Sequence, residues 1–168
     1  IALGAYALWK STNQHGNNIA LGYLNQTYGQ GYQNIAIGGQ AMYGQIDGSS
    51  INNAYNLAIG NSALMDITTG DYNIALGQYA LKHSTDGSNS IAIGMNALQY
   101  SAGTSDNVAI GTVALKGVDG TAITGNEGTL NTAVGPNAMT AMLTGWQNTA
   151  VGNAAGYTIT TRAKNIFL

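Results

Sequence analysis

Seven carboxylates, two histidines and five basic side chains make up the ionisable acid–base chemistry of this 168-residue chain, apart from its tyrosines. Glycoside hydrolysis is the reaction such a set would support most readily, since it needs only two carboxylates several ångströms apart. Asp47, Asp66, Asp71, Asp86, Asp106, Asp119 and Glu127 fall at scattered offsets from the glycines that punctuate the chain, so no pair is specified. His15 and His83 lie eleven and six residues after their preceding repeat glycines. Neither has a metal-ligand spacing, and both read as isolated surface residues. Lys82 and Lys116 share a slot two coils apart with Gln99 between them, which describes a solvated edge and not a phosphate cradle. No Asp recurs in phase, which argues against a repeat-wide calcium roll, and no Cys is present to hold a metal or form a disulfide. The expectation is a protein that is not an enzyme and uses no cofactor. A polysaccharide-degrading β-helix that pairs its acids across coils or subunits is the catalytic alternative.

Composition points the same way. Net charge is −2 and the basic residues are Lys10, Lys82, Lys116, Arg162 and Lys164, too few for a nucleic-acid footprint. Apolar residues reach 45%, yet no uninterrupted apolar run approaches the roughly 20 residues of a spanning helix, so no membrane insertion is expected of this segment. The chain opens inside a repeat, without an initiator Met or a signal sequence, and is expected to be one repeat domain, residues 1–168, within a longer fibre chain.

What positions the side chains is a recurring tetrapeptide. Ile1-Ala2-Leu3-Gly4 returns as Ile19-Ala20-Leu21-Gly22, Ile35-Ala36-Ile37-Gly38, Leu57-Ala58-Ile59-Gly60, Ile74-Ala75-Leu76-Gly77, Ile91-Ala92-Ile93-Gly94, Val108-Ala109-Ile110-Gly111, Thr132-Ala133-Val134-Gly135 and Thr149-Ala150-Val151-Gly152. Successive closing glycines are 18, 16, 22, 17, 17, 17, 24 and 17 residues apart, a period of 17 with two insertions. Ala-Leu or Ala-Met follows most of these glycines at fixed distance, and Asn precedes most of the tetrapeptides. Two coils depart in the Ala-Leu slot, with Asn25-Gln26 and Ala155-Gly156.

Branched residues favour strands, and a three-residue packet ended by Gly is too short for a helix. In an extended strand the two branched residues face one way and Ala the other. The fold class expected is therefore all-β, a parallel β-roll or β-solenoid of about nine coils, with the Gly permitting one sharp corner and Asn taking left-handed backbone at another. The Ala column, Ala2, Ala20, Ala36, Ala58, Ala75, Ala92, Ala109, Ala133 and Ala150, implies close approach of something to that face. Either a neighbouring subunit packs there or the opposite wall of a narrow coil does. The first is the expectation, because one stack buries few apolar side chains against about 1–2 kcal/mol of backbone entropy per ordered residue.

The Asn-Ile-Ala-Ile-Gly and Asn-Thr-Ala-Val-Gly packets resemble the head repeats of trimeric autotransporter adhesins. The longer Gly-x-x-Ala-Leu continuation is similar to repeats of bacteriophage tail-fibre proteins, and the long coil favours that branch. The resemblance covers the whole chain and implies a left-handed roll, a homotrimer and attachment to a host-surface glycan or protein. It implies a virion tail or surface fibre as the location, or alternatively the bacterial cell surface. The last packet, Asn165-Ile166-Phe167-Leu168, puts Phe where Ala is expected, which reads either as a transition or as a terminal variant. Recognition is expected in the two insertions, at Tyr43, Asp47, Asn52 and Tyr55 and at Asp119, Thr124, Asn126 and Glu127, assisted by aromatics such as Tyr28, Tyr32, Tyr72, Tyr100 and Trp146.

Overall fold

The computed structural model describes residues 1–8, 10–11, 16–25, 28–29, 31–44, 52–118 and 128–168. Its strands are β1 (Ala2–Leu3), β2 (Lys10–Ser11), β3 (Ile19–Leu21), β4 (Tyr28–Gly29), β5 (Ile35–Ile37), β6 (Leu57–Ile59), β7 (Ile74–Leu76), β8 (Ile91–Ile93), β9 (Val108–Ile110), β10 (Thr132–Val134), β11 (Thr149–Val151) and β12 (Ile166–Phe167). All but β2 and β4 join one ten-stranded parallel sheet in chain order, while β2 and β4 pair separately. At about 4.8 Å per rung the sheet is about 43 Å long. The protein is an all-β solenoid, and its register is the one the tetrapeptides demand: each Ala pairs with the next, from Ala2 through Ala150. Both insertions leave that register unbroken, since Ala36 still meets Ala58 and Ala109 still meets Ala133.

The Ala column faces the interior of the chain's own coil. Ala20, Ala36, Ala58, Ala75, Ala92, Ala109, Ala133 and Ala150 are wholly buried in the single chain, and only Ala2, on the first rung, is exposed. Their close neighbour is the opposite wall, formed by Ala41, Ala63, Ala80, Ala97, Ala114 and Ala138 with Met42, Leu64, Leu81, Leu98, Leu115 and Met139. This corrects the expectation that a subunit approaches Ala. The coil is too narrow to hold a branched residue from both walls, so the branched residues of the sheet point outwards.

In the opposite wall, adjacent residues such as Ala63 and Leu64 are both buried, which an extended strand forbids. The chain achieves it with left-handed backbone at every second residue: Ser62 and Leu64 have φ of 54° and 50°, Asn96 and Leu98 of 57° and 50°. The same alternation turns backbone groups along the rod, so Ser62 N donates to Gly39 O at 2.9 Å and Leu64 N to Ala80 O at 3.0 Å. Each such non-glycine residue costs about 1–2 kcal/mol, and the inter-coil bonds offset it.

Asn does not take the left-handed corner as expected; the residue before it does, at Gln33, Tyr55, Tyr72, Asn89, Asp106, Leu130, Gln147 and Lys164. The Asn side chains are instead buried and form a ladder. Asn34 N donates to Asn18 Oδ1, Asn56 N to Asn34 Oδ1, Asn73 N to Asn56 Oδ1 and Ser90 N to Asn73 Oδ1, all within 3.0 Å. Where Ser90 replaces Asn, its hydroxyl accepts from Asn107 N, and the relay resumes through Asn131, Asn148 and Asn165. The amide nitrogens of Asn56, Asn73, Asn131 and Asn148 meanwhile secure the turn of the next coil, as Asn56 Nδ2 does with Gly70 O at 2.9 Å and Asn73 Nδ2 with Gly87 O at 2.8 Å, whereas Asn107 Nδ2, below the insertion, is buried without a partner among the described residues.

Two local departures compensate one another. Phe167 keeps register with Ala150 and packs against the core, and the Leu/Met position of the coil beneath it holds Gly156. A Cβ on Gly156 would stand 2.6 Å from Ile159 Cδ1 and 3.2 Å from Phe167 Cδ2, so Ile159 and the ring together occupy the space the missing side chain leaves. A different position carries a defect. Ser84 lies in the column of Ile67 and Met142, wholly buried, and its hydroxyl has no hydrogen-bond partner. Ser84→Ala is expected to raise stability by about 1 kcal/mol, because a stranded buried hydroxyl is removed at little cost in packing. Urea unfolding of the two chains checks this, and a loss of stability would show that the hydroxyl is satisfied in solution.

Candidate binding surfaces

The outward side chains of the sheet form an apolar stripe. Ile59, Ile93, Ile110 and Val151 are 40%, 37%, 38% and 43% exposed, and their partners at the start of each strand are half-buried. Residues just after the corner glycine widen it, with Tyr23 and Met95 both exposed. The stripe spans all ten rungs of the sheet and bears no charge.

A second surface lies on the wall six residues after the corner glycines, where Asp66, His83 and Tyr100 occupy successive coils. His83 Nδ1 sits 2.6 Å from Asp66 Oδ2, and its ring stacks on Tyr100 with centroids 5.1 Å apart and planes within 9°. Lys116 Nζ lies 5.6 Å from the Tyr100 ring centre on the far side of this column in the sequence order of coils, and Lys82 Nζ lies 5.5 Å from the Tyr79 ring. His83 is thus a member of a column and not an isolated histidine. The sequence signal for it was equal offset, but a search for one residue type repeating in phase passes over a column of three different types. This arrangement holds one acid–base pair on an open wall; no group of three His, Asp or Glu is placed to share a metal ion among the described residues.

The third surface is the corner that precedes the Asn ladder. Tyr32 meets Tyr55 edge-on at 5.5 Å, and Tyr55 stacks on Tyr72 at 4.7 Å with planes within 4°. The centroid spacing equals one coil, so the stack runs along the rod. The Tyr55 hydroxyl, then burial, then the Asp71 carboxylate and Tyr72 hold the Tyr32 phenol above its ordinary range. Asp71 Oδ1 accepts from Ala54 N at 2.6 Å and Asp71 N donates to Ser88 Oγ at 3.0 Å, which fixes the corner beneath the rings. Further along, Trp146 is exposed with Lys164 Nζ 4.8 Å from its ring centre. At the last rungs a cleft of about 460 Å³ is lined by Tyr157, Thr158, Arg162 and Phe167.

Of the insertion residues, Tyr43 is half-buried and Asn52 and Tyr55 are exposed, with Tyr55 belonging to the ring stack. Asp47, Asp119, Thr124, Asn126 and Glu127 lie outside the described residues, as do His15 and the side chain of Tyr28. No described helix is long and apolar enough to cross a membrane.

The fold and these surfaces define a β-solenoid repeat protein whose exposed faces are lengthwise stripes. No protein-family model, curated protein or solved structure matches the chain.

Proposed function

We propose that this chain is a non-catalytic segment of a homotrimeric fibre that attaches a virion to its host surface. The observation that carries the reading is the apolar stripe. A face of branched residues running the length of a rod of about 43 Å, half-buried for most of its length and about 40% exposed at Ile59, Ile93, Ile110 and Val151, is unusual on a chain that works alone, and stacking it against equivalent faces removes it from water. Three rods in parallel around one axis make every rung of the stripe equivalent, which matches a repeat with one apolar pair per coil. The subunit contact assigned here is the Ile and Leu stripe, not the Ala column. The low charge of the walls and the aromatic corner suit contact with glycans or a neutral protein surface.

Ile59→Lys combined with Ile93→Lys is expected to convert the trimer to monomer, with the far-ultraviolet circular dichroism spectrum retained because both side chains point outwards. Light scattering coupled to gel filtration reads the mass. An unsubstituted chain that runs as a monomer at all concentrations would sink the trimeric assembly. Attachment is tested with labelled chain on a panel of bacterial cells and their purified surface polysaccharides. Release of oligosaccharide from those polysaccharides would overturn the non-catalytic assignment, and trimming the two insertions to the 17-residue period reports whether they carry attachment.

A further inference from the structure

We propose that the free face of Tyr72 is a stacking platform for one ring of a neutral sugar, a hexose or N-acetylhexosamine within a surface glycan. The inference rests on the adhesive reading and names the chemistry of its ligand. Tyr32, Tyr55 and Tyr72 build a column of rings whose last member is 56% exposed. One face of Tyr72 is covered by Tyr55; on the other side no ring continues the stack among the described residues. The next rung at that corner carries Asn89 and the one after it Asp106, both exposed and both shorter than tyrosine. Backbone bonds hold these rungs in line, with Asn89 N donating to Asp71 O and Asp106 N to Ser88 O, each at 3.0 Å.

The geometry is a shelf. A pyranose ring is about as thick as one coil spacing of about 4.8 Å, so a sugar lying on Tyr72 continues the column at the level of Asn89. Its apolar C–H face meets the phenol ring while its hydroxyls reach the Asn89 amide beside it and the Asp106 carboxylate above. The platform is rigid before a ligand arrives, because Tyr72 is clamped by Tyr55 and its backbone by Ala54 O at 3.1 Å, so little entropy is lost on binding. Charge selects the ligand. The exposed Asp106 stands above the shelf and the Asp71 carboxylate is turned to Ala54 N in the coil below, whereas Lys82 and Lys116 sit over Tyr79 and Tyr100 and Lys164 over Trp146 four coils on. Among the described residues an anionic uronate or sialate finds no cation there, and the Asp106 carboxylate to repel it.

Saturation-transfer NMR on the intact chain tests this with methyl glucoside, methyl galactoside, N-acetylglucosamine and galacturonate as probes. Transfer is expected to the neutral sugars and not to galacturonate. Tyr72→Ala should weaken neutral-sugar binding by about tenfold or more while Tyr72→Phe retains it, and Asp106→Asn should narrow the gap between neutral sugar and galacturonate. Melting temperature reports that Tyr72→Ala remains folded, and Tyr79→Ala on another wall serves as the control. No transfer to any neutral sugar, or transfer that Tyr72→Ala leaves unchanged, overturns the platform. Cell attachment measured on the same chains keeps the two ideas apart. Attachment without sugar binding sinks the platform alone, and sugar binding through Tyr72 without attachment sinks the adhesive reading alone.

Discussion

Gly77→Ala is expected to destabilise the middle of the rod by about 2–6 kcal/mol, enough to unfold its central coils under mild urea. Two independent effects add. The backbone at Gly77 has φ of 133°, a region where a side chain costs about 1–3 kcal/mol of strain. A Cβ there would also stand 2.6 Å from Gly94 O and 2.7 Å from its carbonyl carbon, backbone atoms that cannot move without shifting the next coil. Gly152 separates the two effects. Its φ is 129°, but the nearest atom to an added Cβ is 3.8 Å away, so Gly152→Ala should show the strain alone, about 1–3 kcal/mol. Equal losses at the two positions would mean that glycine is required for its conformation only and not for the close stacking of corners. Because coils contact mainly their neighbours, the damage at Gly77 should be local, with hydrogen exchange accelerating first in β7 and β8.

The corners and the strands were legible because they rest on hard constraints. Ile-Ala-Ile ended by Gly at a period of 17 admits one parallel stack, and the register seen from Ala2 to Ala150 follows from it. Side-chain alternation put Ala and Ile on opposite faces but did not say which face was inside. That depended on the other wall, where Ala63 and Leu64 both turn inwards and fill the coil. The rule that predicts one residue in and the next out assumes extended backbone, and left-handed backbone at Leu64 breaks it. Without that wall the interior holds too few apolar side chains to stand alone, which is why the Ala column by itself points to a subunit contact.

The binding surfaces were less legible for a related reason. Tyr32, Tyr55 and Tyr72 are 23 and 17 residues apart, so the first falls out of the regular phase and the column is visible only once the strands β5 and β6 on either side of the insertion are set in register. Asp66, His83 and Tyr100 are in phase but unlike in type. The Asn column is plain in the sequence as a repeat but its role is not, since composition alone favours Asn at turns, whereas a buried amide offers a donor and an acceptor that can link three coils at once, as Asn56 does.

That role makes Asn73 the polar counterpart of Gly77. Its Oδ1 accepts from Ser90 N at 3.0 Å in the coil above, its Nδ2 donates to Gly87 O at 2.8 Å, and the residue is wholly buried. Asn73→Ala leaves both a donor and a carbonyl unsatisfied in the interior, and each costs about 1–3 kcal/mol, so a loss of about 2–6 kcal/mol is expected by urea unfolding. Asn165→Ala, on the last rung and half-buried, should cost less. Asn73→Asp separates hydrogen bonding from packing, since the shape is kept and only the donor is lost when the carboxyl ionises. Burial and the facing Gly87 carbonyl both disfavour the charged form, so the introduced carboxyl has a folded-state pKa above its unfolded value. The sign follows by linkage: the protonated acid, whose O–H donates to Gly87 O, is the stable partner, and stability is lost as pH rises through that raised pKa. The variant should therefore approach the parent in stability in acid and fall towards Asn73→Ala at neutral pH. A stability difference from the parent that does not change with pH would mean that the Gly87 bond contributes nothing and that the ladder acts only through its acceptors.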